Sequence, residues 1–403
     1  MRWLGFAERM AELSQGTQWD EIAAGAMVYR LANDALRFGF ADDRAAQFAR
    51  DQVERVDRVI VRERLTLLMS FLTPEAQARA DWPDSLITRL MAYGHQLHDD
   101  GHFSPAVDVF TLIYDRAGKD VDIRLKAMLR CGFALRQLAR FQDAKRVYEM
   151  LRAQSVEKGD ERMTLEADLG LARCVLGRGD LQSGERLTRE AVERARVLNQ
   201  TAVVANGLID LAWIAGVSCR PHDVVSYSIS AYADLETDEQ RERVLMNTAT
   251  ALRELRRPDS ARTVASFVVR RGRFNDVRIN ALTLLYNLAI DARNAQEAAF
   301  YRRHLANLSM HPIATVEYYH AIACEMATFG RFDEARLAAQ KMLAACEEHR
   351  LNEHSFRAEQ ALREIDRGAV PAMYEFRGTP ELSSVEARRV EEMEVTLATL
   401  CGV

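Results

Sequence analysis

Apolar and polar positions alternate along this chain almost wholly with a helical period. Residues 18–38 place Ile22, Ala26, Tyr29, Ala32 and Leu36 on one face and stop before Gly39, which predicts a one-sided helix. Residues 42–72 contain neither Gly nor Pro. There Phe48, Val53, Val56, Ile60 and Leu67 face one way and Arg44, Arg50, Arg55, Arg58 and Arg62 another, predicting a second, longer helix. Pro74 and then Asp81-Trp82-Pro83-Asp84 punctuate the chain, with Asp84 or Ser85 as the N-cap of the next helix. Residues 127–151 carry a different pattern: Gly132, Leu135, Ala139, Ala144 and Tyr148 stand at offsets 0, 3, 7, 12 and 16, as in two short helices packed back to back.

That pattern recurs. Indexed by the small residue of each first helix, it returns at Gly94, Gly132, Ala172, Ala212, Ala249, Tyr286 and Ala323, spaced by 38, 40, 40, 37, 37 and 37 residues. Twelve positions on come Ala106, Ala144, Gly184, Val224, Ala261, Ala298 and Ala335, where two helices must approach closely. Between the helices, Gly101, the pair Gly177 and Gly179, and Gly330 suit left-handed C-caps. The unit at Ala212 has Ser228 in the aromatic position and Arg220-Pro221 at its turn. The unit at Tyr286 is bulky where the others are small and has Arg302 sixteen residues on; both read as degenerate copies.

The recurring offsets resemble the tetratricopeptide repeat, although the spacing exceeds the roughly 34 residues of that family. The resemblance implies an all-α, right-handed superhelical solenoid of about seven helix pairs at residues 84–350, preceded by a small helical N-terminal domain at 1–80. A capping helix would follow at 351–367, then a linker at 368–384 holding two prolines and two glycines. The last segment, 385–403, has Val390, Met393, Leu397 and Leu400 spaced as a short seam that either folds back on the solenoid or joins another copy of the chain.

In the tetratricopeptide family the first helices line a concave groove. Carried over by position, the resemblance implies a peptide- or partner-binding set of Lys126, Arg130, Phe133, Arg136, Arg173, Asn206, Asp210, Trp213, Arg243, Asn247, Arg253, Asn280 and Asn287. Asn satisfies a peptide amide in both directions, Arg and Lys meet carboxylates, and Phe133 or Trp213 packs a side chain. Arg130 and Arg173 are the first choices for an acidic contact. The layout is also similar to bacterial Rap-type regulators, in which a peptide in the groove moves a helical N-terminal domain, though no motif in the first 80 residues carries their partner-binding activity.

Composition narrows the rest. With 403 residues, 48% hydrophobic but only 8 Pro and 20 Gly, the chain exceeds a single ordinary core unless it is modular, and strands are not expected. A formal charge of −5 supplies no bulk attraction to nucleic acid or anionic lipid, and the Arg-rich runs at 253–262 and 270–273 lie at helix ends beside Glu254 and Asp259. Six scattered cysteines without a CxxC pair read as buried, reduced thiols and a cytoplasmic setting. No secretory leader is expected at the N-terminus, where Trp3, Leu4, Phe6, Ala7 and Met10 form a stripe read as docking on the protein itself, and no run of 18 apolar residues crosses a bilayer. His95, His98, Asp99 and His102 approximate a ligand spacing, but Gly101 breaks the helix; no metal and no cofactor is expected, with His349 and His354 weaker still. Without a phosphate loop, nucleophile elbow or HExxH, catalysis is not expected. The expected role is a non-enzymatic scaffold for another protein or a peptide, with a peptide-responsive regulator and a self-assembling subunit as alternatives.

Overall fold

The computed structural model describes residues 4–13, 17–39, 42–118, 120–273, 275–308, 310, 312–348, 351–372 and 384–402. It is all-α, and no strand occurs among the described residues. The chain divides into two compact units, residues 1–203 and 204–403.

In the first unit α1 (Leu4–Leu13), α2 (Thr17–Phe38), α3 (Asp43–Glu54), α4 (Val59–Ser70) and the short α5 (Pro74–Gln77) precede three helix pairs. The pairs are α6 (Trp82–Asp99) with α7 (Phe103–Arg116), α8 (Val121–Gln137) with α9 (Phe141–Lys158), and α10 (Glu161–Gly177) with α11 (Leu181–Val197). The early helices have no core of their own. Phe6, Tyr29, Val53 and Leu65 share one continuous apolar interior with Leu90, Phe110 and Tyr148. The expected long helix over 42–72 is two helices, broken where Val56 turns fully inside. Tertiary contacts hold that break: Arg62 Nη1 donates to the Val56 carbonyl at 3.0 Å, and Arg58 reaches Glu21 and Asp100. The break shifts the helical phase, so Phe48, Ile60 and Leu67 face solvent while Val61, Leu65, Leu68 and Met69 face inward.

In the second unit, helix pairs continue. Most of α12 (Thr201–Val217) lies here, followed by α13 (Pro221–Tyr232), then α14 (Asp238–Glu254) with α15 (Pro258–Arg271), α16 (Asn275–Asp291) with α17 (Ala295–Ala306), and α18 (Pro312–Thr328) with α19 (Phe332–Glu348). α20 (Asn352–Asp366) covers the end of this series, seating Ala361 and Ile365 against Ala323, Ala335 and Ala339. α21 (Ser384–Cys401) folds back onto α13 and α15, burying Val390, Leu397 and Cys401, and Glu394 there accepts from Ser260 Oγ at 2.6 Å. Most of the expected linker, residues 373–383, lies outside the described residues.

The seven index residues and their partners twelve positions on are all buried, each pair on successive helices. First helices of neighbouring pairs touch, α8 with α10, α14 with α16, α16 with α18 and α18 with α20, so their remaining faces form a surface within each unit. The turns share one geometry. The residue seven positions after every index residue has positive φ: Gly101, Ala139, Gly179, Cys219, Arg256, Arg293 and Gly330. The next amide then bonds back across the turn, as Arg140 N to Leu135 O at 2.9 Å and Arg331 N to Met326 O at 2.7 Å. Small index residues exist because large rings sit over them: a Cβ on Gly94 would meet Phe110 at 2.7 Å, and one on Gly132 would meet Tyr148 at 2.7 Å.

Candidate functional site

The side chains brought together most closely among the inner-surface candidates lie on α6 and α8. Phe133 and Arg136 are three residues apart on α8 and therefore on one face. Arg136 lays its guanidinium 4.9 Å from the centroid of the Phe133 ring and donates from Nε to Tyr148 Oη at 3.3 Å. From α6, His98 meets the same ring edge-on at 4.7 Å and also contacts Phe103. Phe133 is thus held half-exposed between an imidazole and a guanidinium. Lys126 and Arg130 stand exposed on the same helix. Arg130 lies close enough to His95 to add to the burial that lowers its pKa, and the charge of Arg173, on α10, acts on the Tyr148 hydroxyl. Lys126, Arg130 and Arg136 thus stand around one aromatic ring, with the exposed Asp99 beside His98 on its other side.

The remaining candidates lie in the second unit and do not converge. Trp213, Arg243, Asn247 and Asn280 are exposed. Asn206 is engaged, its Oδ1 accepting from Gln240 Nε2 at 3.1 Å. Arg253 is almost covered and donates from Nε to Asp291 at 2.6 Å. Asn287 departs from the expected solvent-facing groove position: it is 6% exposed, its Oδ1 buried. The one-residue register of a helix turns it toward the core, where an amide cannot reach a ligand.

The histidine cluster is dispersed. His95 packs edge-on against Phe110, His98 against Phe103 and Phe133, and His102 is the buried residue before α7, its Nδ1 accepting from Arg9 Nε at 3.1 Å. Burial and the neighbouring Arg9 hold His102 neutral, with its pKa down at about 4. Three ring directions and one occupied nitrogen do not make a cation site. The Arg-rich runs are likewise tied to carboxylates: Arg257 to Glu391 and Glu394, Arg262 to Glu297, and Arg273 to Asp238. Cysteines 131, 174, 324, 346 and 401 are buried, but Cys219 is exposed because it occupies a turn.

The sequence did not reveal two polar clusters of the second unit. Tyr286 donates its hydroxyl to Glu325, which also pairs with Arg302 Nε at 2.8 Å. The bulky index residue and the arginine sixteen positions on are not degeneration but complements: the ring moves to the first helix and the guanidinium neutralises a buried carboxylate. The second cluster lies on α18 and α20. Arg357 Nη1 donates to Glu317 at 2.6 Å beside the buried His320, and residues 369–372 lie against these helices. Only the pairing across about 40 positions makes either cluster, which no local pattern announces.

The fold and this surface define an all-α helical-repeat protein. No family model and no curated protein sequence matches the chain. Among solved structures it is similar to BtubC (BKLC) from P. vanneervenii, at 14% identity over 67% of this chain and 92% of that one, with a TM-score of 0.35. It is also similar to a circular tandem repeat protein with novel repeat topology and enhanced subunit contact surfaces, at 14% identity over 93% and 99% of the two chains, with a TM-score of 0.18. Among the described residues no helix is long and apolar enough to cross a membrane.

Proposed function

We propose that the chain is a tetratricopeptide-type scaffold that binds an acidic segment of another protein on the inner surface of its first unit, with no chemistry of its own. One observation carries this reading: Phe133 is fixed by His98 and Arg136 with its ring half-exposed, and Arg130 stands a turn away on the same helix. A ring pre-set by its neighbours accepts an apolar side chain with little loss of rotamer freedom, while Lys126, Arg130 and Arg173 favour carboxylates around it. Selection from a random peptide library on the full chain should enrich acidic sequences bearing one apolar anchor. Arg130→Ala with Arg173→Ala should weaken the selected peptides at least tenfold and flatten their salt dependence; unchanged affinity removes the reading.

A second reading, a peptide-responsive regulator of the Rap type, is favoured by the position of α6. That helix presents His98 to Phe133, and the residue after its end, Asp100, holds Arg58 of the N-terminal helices in a two-pronged pair with both oxygens at 2.9 Å. A selected peptide that speeds amide exchange over residues 43–70 supports regulation; unaltered exchange there leaves the plain scaffold.

A further inference from the structure

On the second unit, the first helices already carry a piece of chain that belongs to none of them. After α20 the backbone passes through Gly368, whose φ of 72° reverses its direction, and residues 369–372 run back across α18 and α20 outside any helix. Pro371 is buried. Its carbonyl accepts from Cys324 Sγ at 3.6 Å, and the amide of the next residue, Ala372, donates to Glu364 at 2.9 Å. A cavity of about 20 Å³ remains beside the proline ring, between His320, Arg357, Gln360 and Ala361. The charges around it are engaged: Arg357 is paired with Glu317, Glu364 accepts from Gln360 and the Ala372 amide, and burial keeps His320 neutral, with a pKa of about 4.

With the Ala369 amide also donating to the Glu364 carbonyl at 2.9 Å, these contacts consist of one carbonyl, two amides and one ring, with no other side chain of the segment recognised. They are the contacts by which a surface grips an extended peptide of any origin. We propose that this part of α18 and α20 is a second peptide site, for an uncharged, extended, proline-bearing segment of a partner protein, and that residues 369–372 are its built-in competitor. The inference rests on the reading of first helices as peptide binders but uses none of the α8 residues. An outside segment must displace a tethered one, whose effective concentration is of order millimolar for a short connection. The free chain therefore holds the site closed to weak ligands.

The probe is a fluorescent peptide of residues 368–373 with blocked ends, followed by polarisation against the full-length chain and its variants. Pro371→Gly and, separately, Ala372→Pro loosen the tethered segment, the first by removing the ring and the second by removing the donor to Glu364. Each variant is checked by its helical circular dichroism. We expect at least tenfold tighter binding to either folded variant than to the unaltered chain, loss of that gain when Glu364→Ala is added, and no binding of a peptide whose proline is glycine. Equal binding to variant and unaltered chain, or none to either variant, overturns the proposal. Arg130→Ala with Arg173→Ala should leave this binding unchanged, so failure here and failure of the α8 reading are told apart.

Discussion

Ala139, Cys219, Arg256 and Arg293 hold the left-handed turn conformation that Gly101, Gly179 and Gly330 hold elsewhere, at φ values of 53–59°. A side chain there costs roughly 1–2 kcal/mol, partly offset by the greater freedom glycine has in the unfolded chain. Ala139→Gly and Arg293→Gly should each therefore raise stability by about 0.5–1 kcal/mol, read as a higher urea midpoint at constant slope. Gly170 makes the opposite case. A Cβ on it would lie 2.4 Å from the Tyr148 ring, so Gly170→Ala should destabilise by about 1–3 kcal/mol. At this scale the sequence was half legible. Glycine announced three of the seven turns, while alanine, cysteine and arginine disguised the other four, because a backbone geometry imposed by packing leaves no mark on a residue that merely tolerates it. Asn287 was misplaced for the related reason that one helical position separates inside from outside.

At the scale of elements, α1 is tied to α7 by two titrating groups that pull in opposite directions. Asp108 accepts from the Phe6 amide at 3.1 Å, capping the first turn of α1 from another helix, and burial raises its pKa to about 6. Its contribution is complete below the unfolded value near 3.8 and is lost as pH rises through 6. His102, lowered to about 4, contributes fully above the unfolded value of 6.5, and that contribution is lost as pH falls toward 4. Between pH 4 and 6 the two slopes oppose each other. His102→Gln should leave a chain that gains stability relative to the unaltered protein on acidification across that window, and Asp108→Asn one that loses it. Each change should be on the order of 2 kcal/mol in urea midpoints at pH 4 and 6. Helix existence was readable from periodicity, and so was the apolar seam of α21, though not which surface that seam would cover. The break between α3 and α4 was not, since Arg58 answers to Glu21 and Asp100, residues 37 and 42 positions away. Leu397, fully covered on α13 and α15, reports on the docking of α21: Leu397→Ala should destabilise by about 3 kcal/mol.

For the whole molecule, each unit is probed through its own buried contacts, His102 against Arg9 in the first and Leu397 on α13 and α15 in the second. Amide exchange should show His102→Gln speeding exchange most within residues 4–118 and Leu397→Ala most within 221–271 and 384–402. An even change throughout the described residues after either substitution would contradict local packing as its carrier. The scaffold could be read from the sequence because its repeat is periodic; the candidate sites could be read only in part. Phe133, Arg130 and Arg136 sat at positions a repeat resemblance points to, whereas the proline seat on α18 and α20 arises from a segment with no periodicity at all.

The interval from index residue to turn to second helix never varies, while the interval from one index residue to the next runs from 37 to 40 residues. The slack in length therefore lies beyond that second-helix position, largely in the second helices themselves, which run from 12 to 18 residues. Hairpins should tolerate duplication, removal or transplantation when cut after the second helix, and a single residue inserted between index residue and turn should scramble the hairpin that receives it. The chain is in this sense a string of hairpins whose seams are the short connections between them.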